Sequence, residues 1–234
     1  MKLAIFDIDG TLLNTNRVDS DCFIWAFAEE FSISDFDLDW SKYEYATNSG
    51  IVRAIFQRVF HRTPEELEIR RFQSRFLHLL QDVHLSKPKL FLEIRGARRF
   101  FNFLVGHLNW KVAIATGGWH EDAAFKLTAA GFSFNSIPIS TSDRARDRES
   151  ILEICIQESC RQYNVDRFSR IVSFGDALWD VAAARALGLG FIGVGDKSDL
   201  TKLGVAHVVK DYGDLDRLME LLELASVPKQ TEKS

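Results

Sequence analysis

The sequence predicts an α/β protein whose doubly wound parallel sheet is interrupted, after its first strand, by an all-helical insertion. Three observations lead there. Six short and almost wholly apolar runs are spaced along the chain, and runs of that kind suit strands buried on both faces of a parallel sheet. Stretches of helical period separate most of them, as crossover connections between parallel strands require. From Thr15 to Leu90, however, the pattern is helical throughout and no strand-like run occurs. At about 150 residues per domain the chain holds roughly 1.6 domains, so one domain plus a substantial extra piece fits its length.

The first run, Leu3 to Ile8, stops at the turn signal Asp9-Gly10. In the insertion, Phe23, Phe27 and Phe31 recur every four residues, as do Ile51, Ile55 and Val59. Phe72, Phe76, Leu79, Leu80 and Val83 line one face of a longer helix, which Thr63-Pro64-Glu65-Glu66 opens with capping chemistry. These stripes are expected to form a helical core. Linkers fall near Asn14–Arg17 and Ser86–Lys89, which divides the chain into 15–90 for the insertion and 1–14 plus 91–234 for the sheet domain. Beyond the insertion, helical patterns at Ala97-Phe100-Phe101-Leu104, Ala123-Ala124-Leu127-Ala130 and Ile151-Leu152-Cys155-Ile156 alternate with strand-like runs. Those runs are Val112–Ala115, Ile137–Ile139, Ile171–Phe174, Phe191–Val194 and Val205–Val209. Gly131 and Gly188 fall just past helices, where a left-handed cap favours glycine. The polar stretch 228–234 is expected to fray.

Composition removes several function classes. Hydrophobic residues make up 46% and charged residues 26%, with a net charge of −4, which excludes disorder as the main state. It also gives no electrostatic footprint for nucleic acid or an anionic membrane surface. No apolar run approaches the roughly 18 residues of a membrane span. Cys22, Cys155 and Cys160 are sparse, odd in number and without metal-ligand spacing, so they are read as free thiols in a reducing compartment. The N-terminus reads as a strand rather than a signal peptide, which makes a cytoplasmic protein the expectation. A monomer or weak homodimer is expected.

The chemistry gathers at the strand ends, where open parallel sheets bind ligands. Asp7-Ile8-Asp9-Gly10-Thr11 ends the first run, Thr116-Gly117-Gly118 the second, and Gly175-Asp176, with Asp180 one turn on, the fourth. Carboxylates two apart on extended backbone point to the same side, roughly 6 to 7 Å apart. Four carboxylates on one edge repel unless a cation compensates them. Oxygen donors without His or Cys select a hard cation, and Mg²⁺ is the abundant one. Taken singly each Asp also suits a turn or cap, Asp180 most of all.

Asp7-Ile8-Asp9-Gly10-Thr11-Leu12-Leu13 resembles the DxDGTLL signature of the haloacid dehalogenase superfamily. Ile114-Ala115-Thr116-Gly117-Gly118 resembles its second motif and Gly175-Asp176-Ala177-Leu178-Trp179-Asp180 its fourth, GDxxxD, in the right order. The insertion resembles the family's helical cap, and Thr47-Asn48-Ser49-Gly50-Ile51-Val52 is similar to a TDxxIL segment of phosphoglycolate-phosphatase-like members. The resemblance implies a Rossmann-like core and a Mg²⁺-dependent phosphatase acting on a small phosphorylated metabolite. It implies Asp7 as the nucleophile that forms an aspartyl-phosphate and Asp9 as the acid and base. Asp7, the Asp9 carbonyl and Asp176 would hold Mg²⁺, with Asp180 supporting or ligating. Thr116 and the Gly117 amide would bind phosphate oxygens, and Gly10 and Thr11 would shape the loop around the transferring group.

One motif departs from the family, whose third supplies a Lys at a helix start. No Lys lies between Lys126 and Lys197. In Ser142-Asp143-Arg144-Ala145-Arg146-Asp147-Arg148, Arg148 has the register that places Ile151 and Leu152 on the apolar helix face, with Arg144 the runner-up. Arg keeps the charge but changes the geometry. Two other readings stay open: a phosphomutase on a sugar phosphate, using the same residues, and a catalytically weak binding or regulatory member of the fold. His120 is expected on the exposed first turn of a helix, and Trp119 at the pocket mouth.

Overall fold

Leu3 and Ile5 pack into one apolar cluster while Ala4 and Phe6 pack into another, the period-two alternation of a strand covered on both faces. The computed structural model describes residues 1–230, and in it this strand, β1 (Lys2–Phe6), lies inside a six-stranded sheet. The others are β2 (Trp110–Ala115), β3 (Ile139–Ser140), β4 (Arg170–Gly175), β5 (Gly190–Val194) and β6 (Val208–Val209). All pairings are parallel, in the order β3-β2-β1-β4-β5-β6. All six predicted runs therefore carry strands, though the last pairs only over Val208–Val209. Phe6 stands beside Ile114 on β2 and Phe174 on β4. The three central strands thus end level, and Asp7, Thr116 and Asp176 emerge on one edge where the strand order reverses.

Between β1 and β2 come α1 (Asn16–Phe31), α2 (Asn48–Phe60) and α3 (Glu66–Ser86), with short 3-10 turns at Trp40–Lys42 and Pro88–Phe91. Their aromatic stripes form a core of their own: Phe27 packs on Phe72 at 4.5 Å between centroids, and Phe23 meets both Phe72 and Phe76 edge-on. Val59 is a correction, because at 38% exposed it has passed off the buried side of α2 near the helix end. The α3 start is capped, with the Glu65 amide donating to Glu68 Oε2 at 2.7 Å.

The remaining helices sandwich the sheet. α4 (Ala97–Val105) and α5 (His120–Ala129) cover one face. α6 (Arg148–Gln162), α7 (Leu178–Ala186) and α8 (Lys197–Lys202) cover the other. α9 (Leu215–Leu224) returns to the first face through Leu218, Leu221 and Leu222. Gly131 and Gly188 take positive φ just past α5 and α7. The tail is not free where it is described: Lys229 donates its amide to Gly204, and Arg185 donates to the carbonyls of Pro228 and Lys229. Residues 231–234 of the expected frayed stretch lie outside the described residues. Among the described residues no helix is long and apolar enough to cross a membrane.

Two features seat the helices over the sheet edge. The two chain crossings run side by side, with the Asn14 amide donating to Leu92 at 3.0 Å. The start of α2 docks on the core loops: Thr47 Oγ1 donates to the Arg146 carbonyl, the Asn48 amide to the Gly117 carbonyl, and Ser49 Oγ to the Ser142 carbonyl.

Candidate active site

Asp7 leaves the end of β1 only 5% exposed, at the bottom of a cavity of about 260 Å³ between the sheet edge and the helices. Asp176 follows β4, and Asp180 sits one turn into α7, where it accepts the Ala177 amide. Asp7, Asp176 and Asp180 can offer oxygens that all lie within 4.8 Å of one another. Gly175 makes this approach possible, since a Cβ there would stand 2.4 Å from the Asp180 Cβ. Gly10, at φ +76°, does the same for Asp176, whose Oδ2 would meet a Cβ at 2.0 Å.

Arg148 answers the missing lysine. From the first position of α6 it donates Nη1 to Asp7 Oδ1 at 2.9 Å and pairs with Asp180 Oδ1 at 3.2 Å. The guanidinium lies against Gly117, where a Cβ would stand 2.8 Å from it. Arg144 instead pairs with Glu158 and does not line the cavity. Burial works against the Arg148 charge, but Asp180 and Asp7 outweigh it and hold the guanidinium above its ordinary range.

One guanidinium does not neutralise three carboxylates. Burial, opposed by Arg148 and reinforced by Asp180 and Asp9, pushes Asp7 up to about 7. Burial and the Asp7 charge push Asp176 up to about 7. Burial also raises Asp180, to about 6, against the pull of Arg148. The cluster therefore lacks positive charge, and its all-oxygen donor set fits a hard divalent ion such as Mg²⁺. Asn16, from the start of α1, donates Nδ2 to Asp176 Oδ2 at 2.9 Å and orients that carboxylate.

Asp9 lines the cavity with both carboxylate oxygens already engaged. Thr15 Oγ1 donates to its Oδ1 at 2.5 Å and Lys126 Nζ to its Oδ2 at 2.6 Å. Lys126, 1% exposed on α5, also donates to Asp19 of α1 at 2.6 Å and stands 3.5 Å from Asp122. Burial works against this ammonium, yet Asp19, Asp9 and Asp122 hold it well above the ordinary lysine range. Burial lifts Asp19 to about 6 despite Lys126.

Of the residues expected at the site, Asp7, Asp9, Thr116, Gly117, Arg148 and Asp176 line the cavity. Asp180 lies just beneath them, and Gly10 braces Asp176. Thr116 Oγ1 accepts the Gly118 amide, which leaves its proton free to donate. Thr11 does not face the cavity: it is fully buried behind the loop, with its carbonyl accepting from Tyr212. Trp119 is not at the mouth either, since it stacks on Phe23 in the helical core and donates Nε1 to Ser49. His120 is exposed at the start of α5, as expected. Sequence reasoning missed Thr15, Asn16, Asp19, Lys126 and Trp179, and named Asn48 within the TDxxIL-like segment without a role. The Asp122/Lys126 spacing of four was visible, but it reads as a surface pair.

Residues 1–188 match the family described as haloacid dehalogenase-like hydrolase. No curated protein matches the chain in sequence. Among solved structures, a hydrolase from Pseudomonas syringae superposes with a TM-score of 0.71 at 22% identity, covering 97% of this chain and 100% of that one. CbbY from Rhodobacter sphaeroides, in complex with phosphate, gives 0.66 at 18% identity over 91% and 95% of the two chains. A β-phosphoglucomutase from Clostridium difficile gives 0.66 at 17% identity over 95% and 97%. Identities this low establish a common fold.

Proposed function

The chain belongs to the haloacid dehalogenase-like hydrolases, and we propose that it is a Mg²⁺-dependent phosphatase of a small phosphorylated metabolite working through a phosphorylated Asp7. One observation carries this reading: Asp7, Asp176 and Asp180 converge, with Arg148 between them, at the floor of a cavity roofed by helices.

Bound among Asp7, Asp176 and Asp180, with the Asp9 carbonyl beside them, Mg²⁺ would screen the carboxylate from an anionic phosphate. The chain's own groups do the rest. Arg148 orients Asp7 by holding Oδ1. A carboxylate oxygen of Asp7 attacks phosphorus as the bond to the leaving oxygen breaks, and Asp9 gives that oxygen its proton. A water then attacks the phosphorus and surrenders a proton to Asp9, the Asp7–phosphorus bond breaks, and phosphate leaves. Thr116 Oγ1 and the Gly117 amide take phosphate oxygens. Asp9 exchanges one of its contacts, to Thr15 or Lys126, for the leaving oxygen.

Residues 15–90 serve as a cap over a core of 1–14 and 91–234, excluding water during transfer. A monomer or weak homodimer is the assembly proposed. Cys22, Cys155 and Cys160 are unpaired, in keeping with a cytoplasmic setting.

Phenyl phosphate should be hydrolysed with Mg²⁺, and the activity should vanish with EDTA or in Asp7→Asn. Full activity in Asp7→Asn refutes the mechanism. Release of free phosphate, rather than a rearranged sugar phosphate, separates the phosphatase from a phosphomutase.

A further inference from the structure

The roof of the cavity carries an orphaned donor. Asn48, 9% exposed at the start of α2, lines the cavity, yet its Nδ2 has no hydrogen-bond partner among the described residues. A buried amide nitrogen left unpaired is destabilising, so the position is expected to meet an acceptor when the cavity fills. The Asn48 backbone is separately anchored on Gly117, which fixes the side chain above the proposed phosphate loop.

The other polar neutral groups of the lining from α1, Asn16 and Ser20, are already engaged with Asp176 and Trp40, and the rest of the roof is apolar or acidic. Phe23, Trp40 and Ile51 contribute hydrocarbon surface. Trp40 commits its N–H to Ser20 Oγ at 3.2 Å and so offers the ligand ring atoms rather than a donor. Asp19 contributes a carboxylate, already shared with Lys126. Lys126 stays behind Asp9 and Asp19 and does not line the cavity. Among the lining residues Arg148 is the one cation, and it sits at the floor between Asp7 and Asp180, with Nε on the Ala46 carbonyl.

Resting on the phosphatase reading above, we infer that the cavity takes the monophosphate of a small neutral hydroxyl compound, with Asn48 Nδ2 donating to an oxygen of the leaving group. A substrate bearing a second phosphate, or a carboxylate, is rejected. Its extra charge would enter a roof where the single ammonium nearby, Lys126, is already divided among Asp9, Asp19 and Asp122, so no uncommitted cation is left to offset the repulsion between like charges. The cavity, about 260 Å³, limits the leaving group to a few carbons or one small ring.

The test pairs substrates that differ by one added anionic group: 2-hydroxyethyl phosphate with phosphoglycolate, and fructose 6-phosphate with fructose 1,6-bisphosphate. Phenyl phosphate, whose leaving group bears no acceptor beyond the ester oxygen, is the reference. The neutral member of each pair should show at least about tenfold higher kcat/KM. In Asn48→Ala, KM should rise about 3- to 10-fold for the hydroxyl-bearing esters, the loss of one neutral hydrogen bond, and by less for phenyl phosphate. Turnover of phenyl phosphate with equal or greater preference for the charged members overturns this inference and leaves the phosphatase reading standing. Equal KM increases on all esters in Asn48→Ala assign that residue a structural role and overturn its part in recognition. No turnover of any phosphomonoester overturns both readings. The paired comparison uses the unaltered protein, so it stands even where the variant folds poorly.

Discussion

Replacing Lys126 by methionine keeps most of the side-chain volume and removes the charge that three carboxylates share. In the native protein the ammonium is 2.6 Å from Asp9 and Asp19 and 3.5 Å from Asp122, and it is 1% exposed. Removing one partner from a buried ion cluster leaves the others uncompensated and costs about 3–5 kcal/mol. For a chain of this length each kcal/mol shifts Tm by about 2–4 °C, so Lys126→Met should melt roughly 6–20 °C lower at pH 8. The deficit should shrink as pH falls, because burial already lifts Asp19 to about 6 with the lysine present. Without it, Asp19 and Asp122 take up protons more readily in the folded chain than in the unfolded one, and proton uptake restores neutrality. Lys202→Met is the control, since its pair with Asp199 is mostly exposed and should matter by less than about 1 kcal/mol. The measurement is a pair of thermal melts by circular dichroism, at pH 5.5 and pH 8. A Lys126→Met protein within about 1 kcal/mol of the parent at pH 8 would refute the account of Lys126 as the counterion.

Three further outcomes are expected. Asp7 and Asp176 at about 7, and Asp180 at about 6, lie above the ordinary aspartate value, so the folded chain binds protons more tightly than the unfolded one. Their contribution to stability in EDTA is then fullest below about pH 4 and is lost as pH rises through 6 to 7; Mg²⁺ should restore it, and melts that do not respond to Mg²⁺ contradict the metal site. Arg148→Lys keeps the charge but loses the planar guanidinium, whose Nη1 meets both Asp7 and Asp180 while Nε holds the Ala46 carbonyl, so steady-state kinetics should show kcat/KM lowered about 10- to 100-fold. Gly117→Ala sets a methyl 2.8 Å from the Arg148 guanidinium and should lower activity comparably by displacing it, which the same assay reads.

What could be read from the chain and what could not divide along sequence distance. Strand ends are local events: an apolar run stops, a carboxylate or glycine follows, and a parallel sheet brings such ends to one edge, so Asp7, Asp176 and Thr116 were legible. Arg148 was legible for a related reason, because helical register ties it to Ile151 and Leu152, both buried on the sheet. Lys126 was not. Its partners lie 117 and 107 residues away, and a lysine inside an alanine-rich helix looks solvated until those carboxylates are in place. Thr11 sits fully buried behind the loop at Gly10 and does not line the cavity, so its motif position relates to the backbone of that loop. Adjacency alone put Trp119 at the mouth, whereas the aromatic stripe of α1 and α3 offered it a better partner than water. Val59 kept period four, but at 3.6 residues per turn a strict four-residue stripe drifts off the buried side.

The most direct test of the central claim is the covalent intermediate. Acid-quenching the enzyme during turnover of radiolabelled phenyl phosphate with Mg²⁺, followed by proteolysis and mass spectrometry, should place one labelled phosphoryl group on the peptide containing Asp7. The label should be absent in Asp7→Asn. Label on another residue, or label that persists in Asp7→Asn, contradicts the account.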